Sequence, residues 1–115
     1  MRAAICRPSY FCIMGLIDHY DGFDWDAGNR GKNWRVHKVT DEEIEEACRN
    51  EPFLIFPDVD HSEGEERWII MSKTDRGFPL FGSYTIRTNR IRPISFRKMD
   101  RKQRKEFDEE IKGTS

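Results

Sequence analysis

Apolar residues recur along this chain first with a helical period and then with a strand period. The order Thr40-Asp41-Glu42-Glu43 is a capping box, with Thr40 as N-cap and Glu43 three residues on. It also places carboxylates in the first turn, where the helix dipole favours negative charge. Ile44, Ala47 and Cys48 follow as an i, i+3, i+4 stripe, and Pro52 stops the helix. Upstream, residues 22–26 read as a short strand ending at an aspartate able to cap a helix. Residues 27–37 then make a poor helix, since Gly28 and Gly31 each cost about 1 kcal/mol relative to Ala.

Beyond Pro52 the period changes. Residues 66–72, 79–87 and 91–99 read as strands joined by turns at 74–78 and 88–90, which predicts an antiparallel meander. Pro93 has no N–H to give, so its strand is an edge or bulges there. By simple alternation Arg90 and Arg92 point one way, Ser95 and Arg97 the other. Residues 100–111 read as a last helix capped by Asp100 and anchored only by Met99, Phe107 and Ile111. Its charges oppose the dipole: Arg101, Lys102, Arg104 and Lys105 sit at the positive end, Asp108, Glu109 and Glu110 at the negative. The pairs Arg104–Asp108 and Lys105–Glu109 recover about 0.3–0.5 kcal/mol each, so the expectation is a marginal, weakly docked helix.

Composition narrows the class. The chain has 115 residues, 37% hydrophobic and 36% charged, enough for one core. The net charge of −1 hides an asymmetry. Residues 41–66 hold eleven acidic side chains against one basic, Arg49, while residues 87–105 hold nine basic against one acidic, Asp100. The second segment is a local field suited to phosphates or an acidic partner. Cys6, Cys12 and Cys48 show no metal spacing and read as reduced thiols of a cytoplasmic protein. The longest apolar run, residues 10–17, has only eight residues, too few to span a membrane. The opening residues lack a clear signal-peptide pattern, because Pro8-Ser9 interrupts the apolar stretch and no cleavage site follows. Residues 1–18 read as a variable extension, with a start at Met14 as one option, ahead of a single domain over residues 19–115.

Candidate chemistry gathers in two places. Asp58, Asp60, His61, Glu63 and Glu65 are rich in oxygen donors, but they miss the calcium-loop pattern. Counted from Asp58, glycine falls at position seven rather than six and Ile69 occupies position twelve. No second histidine stands at a zinc-binding spacing either. The arginines of the last two strands suit bidentate phosphate recognition, with Tyr84, Phe96 or Trp68 to stack on a base. A solvated, charged sheet edge is the plainer reading of the same residues. No Gly-x-Ser-x-Gly or phosphate-loop motif is present, and Cys48 lies on a core stripe.

Six segments in order change the balance: "FDWD" (23–26), "NWRVHKV" (33–39), "TDEEIEEA" (40–47), "HSEGEERW" (61–68), "YTIR" (84–87) and "IRPISFRKM" (91–99). Together they resemble the BrnT family of type II toxins, small ribonucleases related in fold to RelE. The resemblance implies an α+β fold, with an antiparallel sheet of about four strands, two N-terminal helices packed on one face and a C-terminal helix. It implies RNA cleavage without a metal or other cofactor, and neutralisation by a ribbon-helix-helix, BrnA-like antitoxin through which alone operator DNA is bound. Arg67 and Arg97 are then expected on the phosphate, with Arg87, Arg90, Arg92 and Lys98 binding RNA. Glu65 or Glu66 is the expected base, or the holder of an arginine, and His37 or Tyr84 the expected acid. His61 and Ser62 read as the approach to the Arg67 junction rather than as catalysts. Asn29, Val36 and Lys38 depart from the family pattern and motivate the alternative, a module that only binds the antitoxin and co-represses its operon.

Overall fold

The computed structural model describes residues 4–6, 15–62 and 64–113. The expectations for Cys12, the Met14 start and Glu63, and for the side chain of Cys6, lie outside the described residues. Among the described residues, five strands form one antiparallel sheet in sequence order: β1 (Ala4–Cys6), β2 (Phe53–Pro57), β3 (Trp68–Lys73), β4 (Pro79–Arg87) and β5 (Arg90–Lys98). The meander of the last three strands is as the pattern predicts. β2 is an addition to it, since Leu54, Ile55 and Phe56 are apolar without alternation. The sheet explains that: Ile55 packs with one core cluster, Leu54 and Phe56 with another. A strand covered on both faces loses its alternating signature.

The short helix α1 (Lys32–His37) and the longer α2 (Asp41–Arg49) pack on the first face. α2 is built as its sequence dictates. Thr40 Oγ1 accepts from the Glu43 N–H at 3.0 Å, and Glu43 accepts in return from the Thr40 N–H at 2.9 Å. Its stripe of Ile44, Ala47 and Cys48 is buried against Phe53, Ile70, Leu80, Tyr84 and Phe96. Gly82, across the ladder from Phe96, leaves the space that this ring fills; any Cβ there would overlap it. α1 starts only at Lys32, because Gly31 sits at φ 72° and Asp26 closes a separate turn onto Gly28 and Arg30. Residues 22–26 are not a strand of the sheet. Only Phe23 bridges to Ile91, in parallel, and Asp24 donates its N–H to the Ile91 carbonyl.

The C-terminal helix α3 (Arg101–Gly113) covers part of the opposite face, where Met99 and Phe107 are buried with Leu54, Ile69 and Met71. Asp100 and Gln103 cap it reciprocally, at 2.8 and 3.1 Å. Asp108 lies 3.9 Å from Lys73 on β3. No described helix is long and apolar enough to cross a membrane.

One register shift reorganises the arginines. Tyr84 pairs with Pro93 and Ser83 with Ser95, so Ile94 has no partner on β4. This bulge, foreshadowed by Pro93, overturns the simple alternation: Arg90, Arg92, Ser95 and Arg97 share the face of Arg87, Thr85, Ser83 and Phe81, their cross-strand partners. Lys98 pairs with Leu80 and belongs to the helix-covered face. The outer edge of β5 is closed by two buried asparagines. Asn29 Nδ2 donates to the Pro93 and Asp24 carbonyls, while its Oδ1 accepts from the Asp26 N–H. Asn33 Oδ1 accepts from the Phe96 N–H at 2.8 Å.

Candidate active site

α3 leaves the upper part of its face open, and there the sheet floors a cleft of about 470 Å³. Phe56, Ile69, Phe81 and Ile94 supply apolar floor, with Arg67 and Arg97 on its walls. The remaining wall is the 3₁₀ turn Val59–His61 and the preceding Asp58. This turn is held by a clasp between the ends of β2 and β3. Asp58 donates its N–H to the Arg67 carbonyl at 2.9 Å. The Ser62 hydroxyl donates to the Asp58 carbonyl at 2.6 Å and accepts from the Arg67 N–H at 3.0 Å. Thr85 adds a bond from its hydroxyl to the Glu66 carbonyl at 2.6 Å. The backbone of residues 65–67 is therefore pinned from two sides.

The two cleft arginines differ in what holds them. Arg97 lies over the Phe81 ring at 4.7 Å and donates to Gln103 Oε1 at 2.9 Å and to the Lys98 carbonyl at 3.2 Å. It is oriented by its own element and by α3. The Arg67 guanidinium makes no hydrogen bond or ion pair with any described residue, and its charge is felt at Glu65.

Glu65 does not face the cleft alone. Arg87 Nε and Nη2 donate to its two oxygens at 2.8 and 3.0 Å. Those hydrogen bonds, with the positive charges of Arg87, Arg67 and Arg92, hold the Glu65 carboxyl below its ordinary range and raise Arg87 in return. Glu66 is exposed beside it. Arg92 is committed elsewhere, to Asp26 at 2.9 Å and Asp24 at 3.4 Å. Its hydrogen bond, followed by that of the Gly28 N–H, depresses the Asp26 carboxyl. Arg90 is exposed and has no hydrogen-bond or ion-pair partner among the described residues. Lys98 stands over the Phe78 ring at 5.6 Å.

Among the sequence candidates, then, the fold brings Arg67 and Arg97 to one cleft and hangs Glu65, Glu66 and Arg87 beside it. It does not bring in His37, which ends α1 and lies outside the cleft lining. Nor does it bring in Tyr84, which is 2% exposed within the helix-side core. Phe96 is buried there too, and Trp68 packs against the same cluster. Cys48 is a core thiol that burial pushes up to about 12, so it stays neutral and unreactive. Among the described residues no three His, Cys, Asp or Glu side chains gather as metal ligands.

What sequence reasoning passed over is the contact of His61 with Asp58. His61 Nδ1 lies 3.0 and 3.2 Å from the two carboxylate oxygens, in the same cleft lining as Arg67 and Arg97. The spacing Asp-x-x-His was the available signal, since it stacks two side chains on one turn of 3₁₀ helix.

Comparison with curated proteins gives no match. A family model gives one, and it falls on the parts just described: residues 25–103 run from the segment closing the β5 edge, through the whole cleft, to the glutamine that holds Arg97. On that match, to the ribonuclease toxin BrnT of type II toxin–antitoxin systems, the chain belongs to the BrnT family.

Proposed function

We propose that this protein is a metal-independent endoribonuclease, acting in the cytoplasm as the toxin of a type II pair and cleaving RNA by attack of a ribose 2′-hydroxyl on the adjacent phosphorus. The observation that carries the reading is the pair of cleft arginines, one oriented over Phe81 and one without a protein partner among the described residues. Such cleavage builds negative charge on the phosphoryl oxygens. A guanidinium meets those oxygens with paired, charge-assisted hydrogen bonds. A fixed donor at developing charge is worth about 10²- to 10³-fold in rate. Arg67 and Arg97 take that role.

Arg87, steadied by Glu65, and the exposed Arg90 extend the cationic track on the same face. Glu65 is thus the holder of an arginine, with both oxygens already engaged. Arg92 and Lys98 contribute to the field more than to contact. The apolar floor of Phe56, Ile69 and Ile94 suits the faces of an unstacked base. A ribbon-helix-helix antitoxin is the expected neutralising partner, and operator DNA would be met only through it.

The test is induction in bacteria without the antitoxin. Wild type should arrest growth, and Arg67→Ala at equal expression should relieve the arrest. Equal arrest by both would remove Arg67 from the phosphate role. A purified, antitoxin-free protein that cleaves no RNA would instead favour the module that only binds its antitoxin.

A further inference from the structure

We propose that His61 is the general base of the cleft and that Asp58 positions it. The inference rests on the ribonuclease reading and names a catalytic group for it. Side chains at i and i+3 of a 3₁₀ turn stand over one another, and Val59–His61 form such a turn directly after Asp58. The Asp58 side chain is only 15% exposed, while that of His61 is 67% exposed. The carboxylate is sheltered and the ring reaches solvent.

A carboxylate only accepts hydrogen bonds, so the neutral ring carries its proton on Nδ1 and leaves Nε2 bare. A bare nitrogen at the wall of a phosphate-binding cleft is what abstraction of a 2′-hydroxyl proton requires. Asp58 is itself fixed through its backbone, by the Arg67 carbonyl at 2.9 Å and the Ser62 hydroxyl at 2.6 Å. One clasp therefore fixes the backbone at both the base and Arg67, whose guanidinium has no hydrogen-bond or ion-pair partner among the described residues. Among the described residues no other histidine lines this cleft, and both oxygens of Glu65 are occupied by Arg87.

In the step assigned to it, His61 Nε2 takes the proton of the 2′-hydroxyl. The 2′-oxygen forms its bond to phosphorus as the bond from phosphorus to the 5′-oxygen breaks. The 5′-oxygen keeps that electron pair and takes a proton from water. The resulting hydroxide accepts the proton held by His61, which restores the base. The products are a 2′,3′-cyclic phosphate and a 5′-hydroxyl. Among the described residues, the charged groups that line the cleft with His61 are Asp58 and Asp60 from its own turn, Arg67 just before β3 and Arg97 from β5.

The experiment uses the full-length protein, free of antitoxin, with a labelled single-stranded oligoribonucleotide under single-turnover conditions. Binding is read separately with the 2′-O-methyl form of the same oligonucleotide, which lacks the attacking hydroxyl. His61→Ala and His61→Gln should lower the cleavage rate about 10²- to 10⁴-fold while leaving that binding within about twofold of wild type. The ring is exposed, so neither change disturbs the core. The wild-type rate should rise with pH along an acidic limb that both variants lack. Asp58→Asn should lower the cleavage rate while leaving binding of the 2′-O-methyl oligonucleotide within about twofold of wild type, and Asp58→Glu should restore part of the rate; a merely structural role for Asp58 would lower rate and binding together. If wild type yields cyclic phosphate ends and His61→Gln keeps its rate within about threefold, or keeps the limb, the base is not His61 and the ribonuclease reading stands. A wild-type protein that cleaves no RNA overturns both.

Discussion

Glu65 and Arg87 show how a single contact fixes the ionisation of a carboxyl. From the chain alone, a glutamate beside Arg67 is as good a base as it is a support. Two hydrogen bonds from Arg87 settle its protonation state, holding the carboxyl ionised below its ordinary value of 4.5. A carboxyl depressed in the folded state contributes stability above its unfolded pKa and loses it as pH falls through the depressed value. The pair should therefore hold the cleft's flank through neutral and mildly acidic pH and release it only below the normal carboxylate range. NMR titration of the Glu65 carboxyl should give a midpoint below 4.5, and Arg87→Gln should move it back up. A midpoint unmoved by Arg87→Gln would show that another group depresses it. Asn29 makes a parallel case. Its side chain is 4% exposed and ties three backbone groups at the β5 edge.

At the scale of elements, α2 and α3 are opposites. α2 has acidic residues at its N-terminus, a reciprocal cap and a fully buried stripe. α3 also has a reciprocal cap, yet its basic half faces the positive end of the dipole. Phe107 is its one buried residue, helped by Ile111 and by Met99 just before the helix. Opposed end charges cost about 0.3–1 kcal/mol each where they are exposed. Amide exchange along α3 should accordingly be faster than in β3 and β4, and should slow when an antitoxin is bound. Equal protection of helix and strands, free and bound, would contradict this. The consequence reaches the cleft, because Gln103 of α3 is a hydrogen-bond partner of Arg97. Opening of α3 would release one of the two cleft arginines.

For the whole molecule, the bulge at Ile94 matters most. It moves Arg90 and Arg92 onto the face of Arg97, so that basic residues spread over two strands become one surface. Ion pairing then divides them. Arg92 and Arg87 are neutralised by Asp26 and Glu65, while Arg67, Arg97 and Arg90 have no carboxylate partner among the described residues. Each phosphate neutralised on a single strand contributes about −0.7 to the slope of log affinity against log salt. Two or three contacts predict a slope of about −1.4 to −2.1 for the 2′-O-methyl oligonucleotide. A slope near zero would mean that the arginines do not hold phosphates.

Much of this architecture is legible in the chain alone. The capping box, the apolar stripe of α2, the three-strand meander and the helix after Asp100 all follow from interactions within about four residues. Local sterics and hydrogen bonding act at that range, so the linear pattern determines them. The junction at Glu65, Glu66 and Arg67 is likewise visible as charge meeting a strand. Three features are not. β2 carries no alternation because both its faces are covered, and which elements cover it is a property of the assembled sheet. Pro93 signals an edge or a bulge without deciding between them, and the one added residue exchanges the two faces beyond it. The pairing of charges is the least readable of all. Twenty basic and twenty-one acidic side chains allow far more partnerships than can form. Only their positions in space decide that Glu65 takes Arg87, that Asp58 takes His61, and that Arg67 is left facing the cleft, since Coulomb and hydrogen-bond energies depend on distance and not on separation along the chain.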